Sequence, residues 1–149
     1  MQVRTSFLDD RSIVQTNTGL SALYAHLDWA RPYLLSILRI AAALLFLQHG
    51  LSKFFGFPAA GPPLAGLVIV AASIETFGGL VLAIGLFTRW AALIMSGEMA
   101  FAYFIGHAPH SFFPLVNHGE SAVLFCFVFL YFVFAGPGPW SLDRALKLD

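Results

Sequence analysis

The chain has 149 residues, of which 58% are hydrophobic and 11% are charged, and its formal net charge is zero. Soluble domains carry about a quarter charged residues, so this composition is typical of a protein embedded in a bilayer. The zero net charge provides no long-range attraction to nucleic acid. The single cysteine, Cys126, excludes an intramolecular disulfide, a CxxC pair and thiol–disulfide chemistry by this chain alone.

The N-terminal part is predicted to stay outside the hydrocarbon. Residues 1–18 are polar and form an expected cytoplasmic tail. In residues 19–31 apolar side chains recur at helical spacing, which predicts a short amphipathic helix lying in the membrane surface. This stripe consists of Leu20, Leu23, Tyr24 and Leu27. Pro32 then suits the first turn of the next helix.

Residues 32–136 contain four apolar blocks, each close to the roughly 20 residues that a helix needs to span a bilayer. The short link at Thr88-Arg89 requires the second and third spans to be antiparallel. Residues 137–149 form an expected cytoplasmic tail. The sequence therefore predicts an all-α membrane protein, an antiparallel bundle of four transmembrane helices. The expected spans run from about Tyr33 to Gly50 or Phe54, Leu64 to Phe87, Trp90 to Gly106, and Asn117 to Ala135.

Basic residues predict the orientation of this bundle. Six of them fall on one side of the expected topology, whereas only Lys53 falls on the other. The positive-inside rule then places both termini and the Arg89 turn in the cytoplasm. The three tryptophans fall at the same interface, as an aromatic belt would. The six basic residues are Arg4, Arg11, Arg31, Arg89, Arg144 and Lys147.

Ionisable residues inside spans are costly and therefore indicate functional positions. Helical rise places Arg39, Glu75 and Glu98 in one inner layer, ~9 to ~15 Å from the cytoplasmic end. A second, outer layer lies within ~8 Å of the opposite end and contains Gln48, His49, Lys53, His107, His118 and Glu120. We expect the inner layer to carry proton chemistry and the outer layer to line the mouth of a binding site.

Glu75 lies on a stripe of small residues in the second span, Ala71, Gly79 and Ala83. Such stripes let helices approach closely in lipid, so Glu75 is predicted to point into the bundle. Arg39 is the expected partner of Glu75 or of Glu98. The simpler alternative is that these charges only hold helices together.

The histidines allow two further interpretations. His107, His110, His118 and Glu120 are metal-binding types, but half of them lie on a proline-rich loop without helical spacing. A haem would need two facing histidines, for which only His49 and His118 are suitably placed. Ordinary hydrogen-bonding histidines are favoured over both, so no metal site is predicted.

Five short motifs occur in order along residues 33–144. They are the Arg-containing LRIAAALLFLQHGLSKF, which ends in Gly50-x-x-Lys53, then IETFGG, then GLFTR, then His107 followed by NHGESAVL, and finally GPGPWSLD. Together they resemble the DoxX family of small bacterial membrane proteins. The resemblance implies a four-helix bundle in the bacterial inner membrane, and a link to thiosulfate:quinone oxidoreductase and to membrane complexes that handle thiol and oxidative stress.

Three functions are compatible with these residues. The first is a redox accessory that binds a quinone for a soluble enzyme or a second membrane subunit. In it Glu75 and Glu98 exchange protons, Arg39 sets their charge state, and His49, Lys53, His107, His118 and Glu120 surround the ligand. The second is a proton or small-solute transporter, which would need to form a homo-oligomer. The third is a membrane scaffold for a soluble enzyme.

Overall fold

The computed structural model describes the backbone of residues 10–148 and the side chains of residues 19–148. All regular structure in this part of the chain is helical, which confirms the all-α prediction. A π-helical turn, Ile74–Gly78, interrupts the second helix, and another, Tyr103–His107, extends the third. The helices are α1 (Asp10–Phe55), α2 (Leu67–Ile84), α3 (Thr88–Ala102), α4 (Pro114–Asn117), α5 (Glu120–Ala135) and α6 (Leu142–Ala145).

α1 is one helix of 46 residues, ~69 Å long. The predicted separate helix before Pro32 is therefore wrong, because α1 continues through the proline. Pro32 cannot bond to the carbonyl group of Asp28, but Asp28 is exposed and that group can bond to water. Of the predicted tail, residues 1–9 lie outside the described part, and from Asp10 the backbone is helical. The membrane-surface position of residues 19–31 stays a prediction.

α2 and α3 form the expected antiparallel pair. Residues 85–87 connect them, slightly earlier than the predicted link at Thr88-Arg89. Gly85 ends α2 with φ at 70°, a left-handed conformation that glycine adopts without strain. A turn this short keeps the two helices side by side at this end.

Close contacts between small residues hold α1 against α2. A Cβ atom added to Gly50 would lie 2.7 Å from the backbone nitrogen of Thr76, and one added to Gly79 would lie 3.0 Å from Leu47 Cβ. Gly79 of the predicted stripe therefore packs against α1, and Glu75 of the same stripe is buried inside the bundle, as predicted. α3 packs mainly against α5, and the rings of Phe46 and Phe129 meet edge to face at 4.8 Å between α1 and α5.

Two described segments, Gly19–Phe55 and Leu67–Ile84, are long and apolar enough to cross a membrane, and α5 is apolar but shorter. Large apolar side chains are exposed along the outer faces of α3 and α5 as well. Such a surface is typical of a protein surrounded by lipid. Examples are Leu93, Phe101, Phe104, Phe127 and Phe134.

The end of the molecule near Pro32 and the α2–α3 connection is closed by charged side chains, and we call it the capped end. Arg89 donates to the carbonyl oxygens of Val133 and Phe134 at the C-terminus of α5. Asp143 accepts hydrogen bonds from the backbone nitrogens of Phe87, at 2.6 Å, and Thr88, at 2.8 Å. The predicted polar tail is therefore not free, because Asp143 folds it onto the start of α3.

Candidate functional site

Arg39 belongs to the capped end, although we predicted it to partner a glutamate. Its side chain is fully buried and donates to the carbonyl oxygens of Pro137 at 2.8 Å and Ala83 at 2.7 Å. It also donates to the carbonyl oxygens of Leu82 and Trp140. The guanidinium group thus caps α2 and fastens the C-terminal segment, since carbonyl groups at a helix end lack internal partners.

The actual partner of Glu75 is Lys53. Glu75 lies in the π-helical turn of α2, is 3% exposed and accepts a hydrogen bond through Oε1 from Lys53 Nζ. Leu82 and Ala83 lie seven and eight residues further along α2, so the Arg39 guanidinium group is ~10 Å away along the helix. The predicted pairing of Arg39 with Glu75 or Glu98 is therefore wrong.

Glu98 approaches this ion pair from α3. It lies close enough to Glu75 and Lys53 to interact electrostatically with both. The Oε2 atoms of Glu75 and Glu98 are buried and accept no hydrogen bond from the described residues. Buried polar atoms are nearly always satisfied, so two orphaned carboxylate oxygens in one place indicate a missing donor.

These side chains line a cavity of about 800 Å³ between α1, α2, α3 and α5. Most of the wall is apolar and comes from side chains such as Phe46, Ile74, Met99 and Phe125. The polar part consists of His49, Lys53, Glu75, Glu98, His107 and Ser121. An apolar cavity with a few converging polar groups is the usual form of a small-molecule site. We call this region the cavity end.

Residues that we predicted to lie in two separate layers line the same cavity. His49, Lys53 and His107, which we assigned to the outer layer, line it together with Glu75 and Glu98 from the inner layer. His118 and Glu120 are exposed and do not line it, so the structure does not bring these two predicted ligand residues to the cavity. His118 instead ends α4 in a left-handed conformation, with φ at 57°.

The segment between α3 and α5 holds His107 in place. His107 Nδ1 lies 3.0 Å from the carbonyl oxygen of Asn117, and its ring stacks on Tyr103. Asn117 is buried and donates to the carbonyl oxygen of Ser111 at 2.6 Å, while Tyr103 donates to that of Phe112. Sequence reasoning missed Tyr103 and Asn117, although Asn117 opens the NHGESAVL motif.

The metal and haem interpretations lack the necessary geometry. No three His, Cys, Asp or Glu side chains among those described come close enough together to hold a metal ion. His110 and His118 are exposed on the loop, and only His49 of the proposed haem pair lines the cavity.

The arrangement suits a ligand that carries hydrogen-bond donors on an apolar body. Two carboxylates face one ammonium group, so the site has an excess of acceptors. A donor placed near the two free oxygens would satisfy them, and the apolar wall would cover the remainder of the ligand.

The chain is similar in sequence to known proteins over most of its length. A family model described as DoxX matches residues 34–108. An uncharacterized protein of Haemophilus influenzae is 46% identical, over 80% of this chain and 95% of its own length. The inner membrane protein YphA of Escherichia coli is 31% identical, over 77% of this chain and 91% of its own length. No solved structure matches.

Proposed function

Because this chain belongs to the DoxX family and is a membrane protein, we propose that it binds a quinone or a similar lipid-soluble ligand and serves a partner protein as a redox accessory. One observation carries the proposal. Glu75 and Glu98 each leave a buried carboxylate oxygen without a donor at the wall of a mainly apolar cavity of about 800 Å³. The reduced form of a quinone offers hydroxyl donors on a flat apolar ring.

The chemistry needs proton acceptors beside the ligand. Oxidation of a quinol to a quinone releases two protons and two electrons. Glu75 and Glu98 are the groups that would accept the protons, because general bases must lie within hydrogen-bond reach of the proton that they remove. The electrons would pass to a redox centre of the partner, since a single cysteine gives this chain no thiol pair of its own.

Lys53 gives the two carboxylates different roles. Its ammonium group bonds to Glu75 and compensates that charge, whereas Glu98 forms no ion pair with any of the described residues. When two carboxyl groups lie in different surroundings, one can act as the acid and the other as the base. We therefore assign the first proton transfer to Glu98 and the second to Glu75, and we assign Arg39 to stability alone.

We also propose that the chain crosses the membrane four times, through α1, α2, α3 and α5, with both of its ends in the cytoplasm. α3 and its π-helical turn together cover 20 residues, Thr88–His107, which is enough to cross the hydrocarbon. The basic residues Arg31, Arg89 and Arg144 lie near the capped end, which favours a cytoplasmic position for that end. The cavity would then lie in the opposite half of the inner membrane.

The first test is mass spectrometry of organic extracts from protein purified in native-lipid particles. We expect close to one quinone per chain from the wild type, and loss of the quinone from Glu75→Gln and Glu98→Gln. Phe134→Leu is the matched control, because Phe134 lies on α5 and is 76% exposed, away from the cavity. Phospholipid alone in every sample would contradict the proposal, and proton and solute flux in liposomes would then test the transporter alternative.

A further inference from the structure

A second hollow lies between α2 and α3 on the side nearer the capped end. It is an open groove of about 640 Å³ with an almost wholly apolar lining. Ile74 and Ile94 line both this groove and the cavity, so the two spaces adjoin. Further walls of the groove are Phe77, Val81, Phe87 and Trp90.

The cavity opens sideways between the same two helices. α2 and α3 pack together from the π-helical turn to their connection, whereas Leu67–Ser73 makes little contact with α3. Gly97 leaves this gap clear, because a Cβ atom added there would meet nothing within 4 Å. Ile94 at the edge of the gap is 57% exposed. The opening therefore faces the region where lipid surrounds the helices.

We propose that the ligand is a long-chain amphiphile that enters sideways from the hydrocarbon and keeps its tail outside the cavity. Its head would lie at Glu75 and Glu98, and its tail would pass Ile94 and lie in the groove toward Trp90. The identity of the head group, a quinone or quinol, rests on the proposed function. Trp90 is eight residues from Glu98, so the groove accommodates a tail segment of ~12 Å along α3.

Two features favour a tail rather than water or a peptide in the groove. Its lining offers almost no polar atoms, so a peptide backbone would leave its polar groups unsatisfied. The groove is also continuous with a cavity that contains unsatisfied acceptors, which fits one molecule with a polar and an apolar part. A tail in a bilayer is already surrounded by hydrocarbon, so moving it into the groove gains little affinity. The groove instead packs against the tail and fixes its position.

The test uses a benzoquinol with a ten-carbon tail that carries a photoreactive diazirine at its end. The wild-type protein in nanodiscs is illuminated with the probe, and the labelled peptides are identified by mass spectrometry. We expect the label to concentrate on groove residues of α2 and α3. Ile94→Trp should remove most of it, whereas Leu93→Trp should not, because Leu93 is comparably exposed on the same helix but lines neither space.

Gly97→Leu provides a second variant, because a Cβ atom at this position would meet nothing within 4 Å, and we expect the leucine to close the gap and to remove the same label. Equal labelling of the groove and of exposed positions such as Leu80 and Leu93 would overturn the sideways tail. A tail-free benzoquinol that still binds in a Glu98-dependent manner would then leave the proposed function standing. Conversely, groove labelling that Glu75→Gln and Glu98→Gln do not change would support the tail position and refute the proposed head group.

Discussion

The two ends of the molecule differ in how completely their buried charged side chains are hydrogen-bonded. At the capped end, Arg39 is fully buried, and its guanidinium group donates to four carbonyl oxygens. Asp143 is equally well satisfied, because each of its carboxylate oxygens accepts one backbone N–H group. At the cavity end, Glu75 and Glu98 each have a buried oxygen without a donor.

This difference distinguishes structural charge from charge available for chemistry. A buried charge whose hydrogen bonds are all formed within the protein has none left to offer a ligand. Removing that charge leaves its former partners unsatisfied. A buried charge with an unmet acceptor costs stability, and such costs are tolerated at functional sites. The buried core of the bundle is mostly apolar and includes the fully buried side chains of Phe46, Leu82, Met95 and Phe129.

The sharpest test of this comparison is Arg39→Leu at the capped end. We expect the free energy of unfolding to fall by about 3–5 kcal/mol, as on removing one partner from a buried charged network. The four carbonyl groups would lose their donor, and the hydrogen bonds to Pro137 and Leu82 are buried. Thermal unfolding in detergent, followed by size-exclusion chromatography, measures this change.

Arg31→Leu is the matched control on the same helix. Arg31 and Asp28 form an exposed ion pair at 3.2 Å, which should contribute no more than ~1 kcal/mol. If Arg39→Leu unfolded at the same temperature as Arg31→Leu, the carbonyl network would not be structural.

The next largest effect is expected from Lys53→Met at the cavity end. It would leave Glu75, which is 3% exposed, without its counterion, at a cost of about 3 kcal/mol. Adding Glu75→Gln should recover most of that loss, because the charge is then removed as well. A double-mutant cycle on thermal stability should give a coupling of ~1–3 kcal/mol. A coupling near zero would mean that Lys53 and Glu75 do not depend on each other.

A smaller loss should follow from Asp143→Ala. Removing a side chain that caps a helix N-terminus costs ~1–2 kcal/mol, and here the cap comes from a distant part of the chain. Asp28→Ala, at an exposed aspartate, should change the unfolding temperature little. If the two variants matched, the C-terminal segment would not stabilise the start of α3. Limited proteolysis of the segment after Gly136 provides an independent readout.

Much of the cavity was predictable, because costly residues inside apolar blocks stand out in a sequence. Glu75, Glu98, Lys53, His49 and His107 were all identified in this way, and the stripe of small residues placed Glu75 inside. Their grouping was not predictable. Helical rise gives the depth of a backbone, whereas the long Lys53 side chain reaches from its own layer to the carboxylate of Glu75.

Arg39 was misassigned for a related reason. Its partners are backbone carbonyl groups at the end of α2 and in the segment after α5, and every residue type supplies such a group. A search for complementary charges therefore finds the glutamates and misses the actual acceptors. The two π-helical turns also leave no pattern in the sequence that we could read, although both contribute residues to the cavity wall.

The smallest effect on stability, with the opposite sign, is expected from Glu98→Gln. The variant replaces an ionisable group that has an unsatisfied buried oxygen with a neutral amide, so stability should rise by ~1 kcal/mol or stay constant. Glu120→Gln, at an exposed glutamate, is the control. Ligand recovery should fall in Glu98→Gln but not in Glu120→Gln. A loss of stability comparable to that of Asp143→Ala would mean that Glu98 stabilises the fold. Glu98 would then be a structural charge like those of the capped end, and the contrast between the two ends would be wrong.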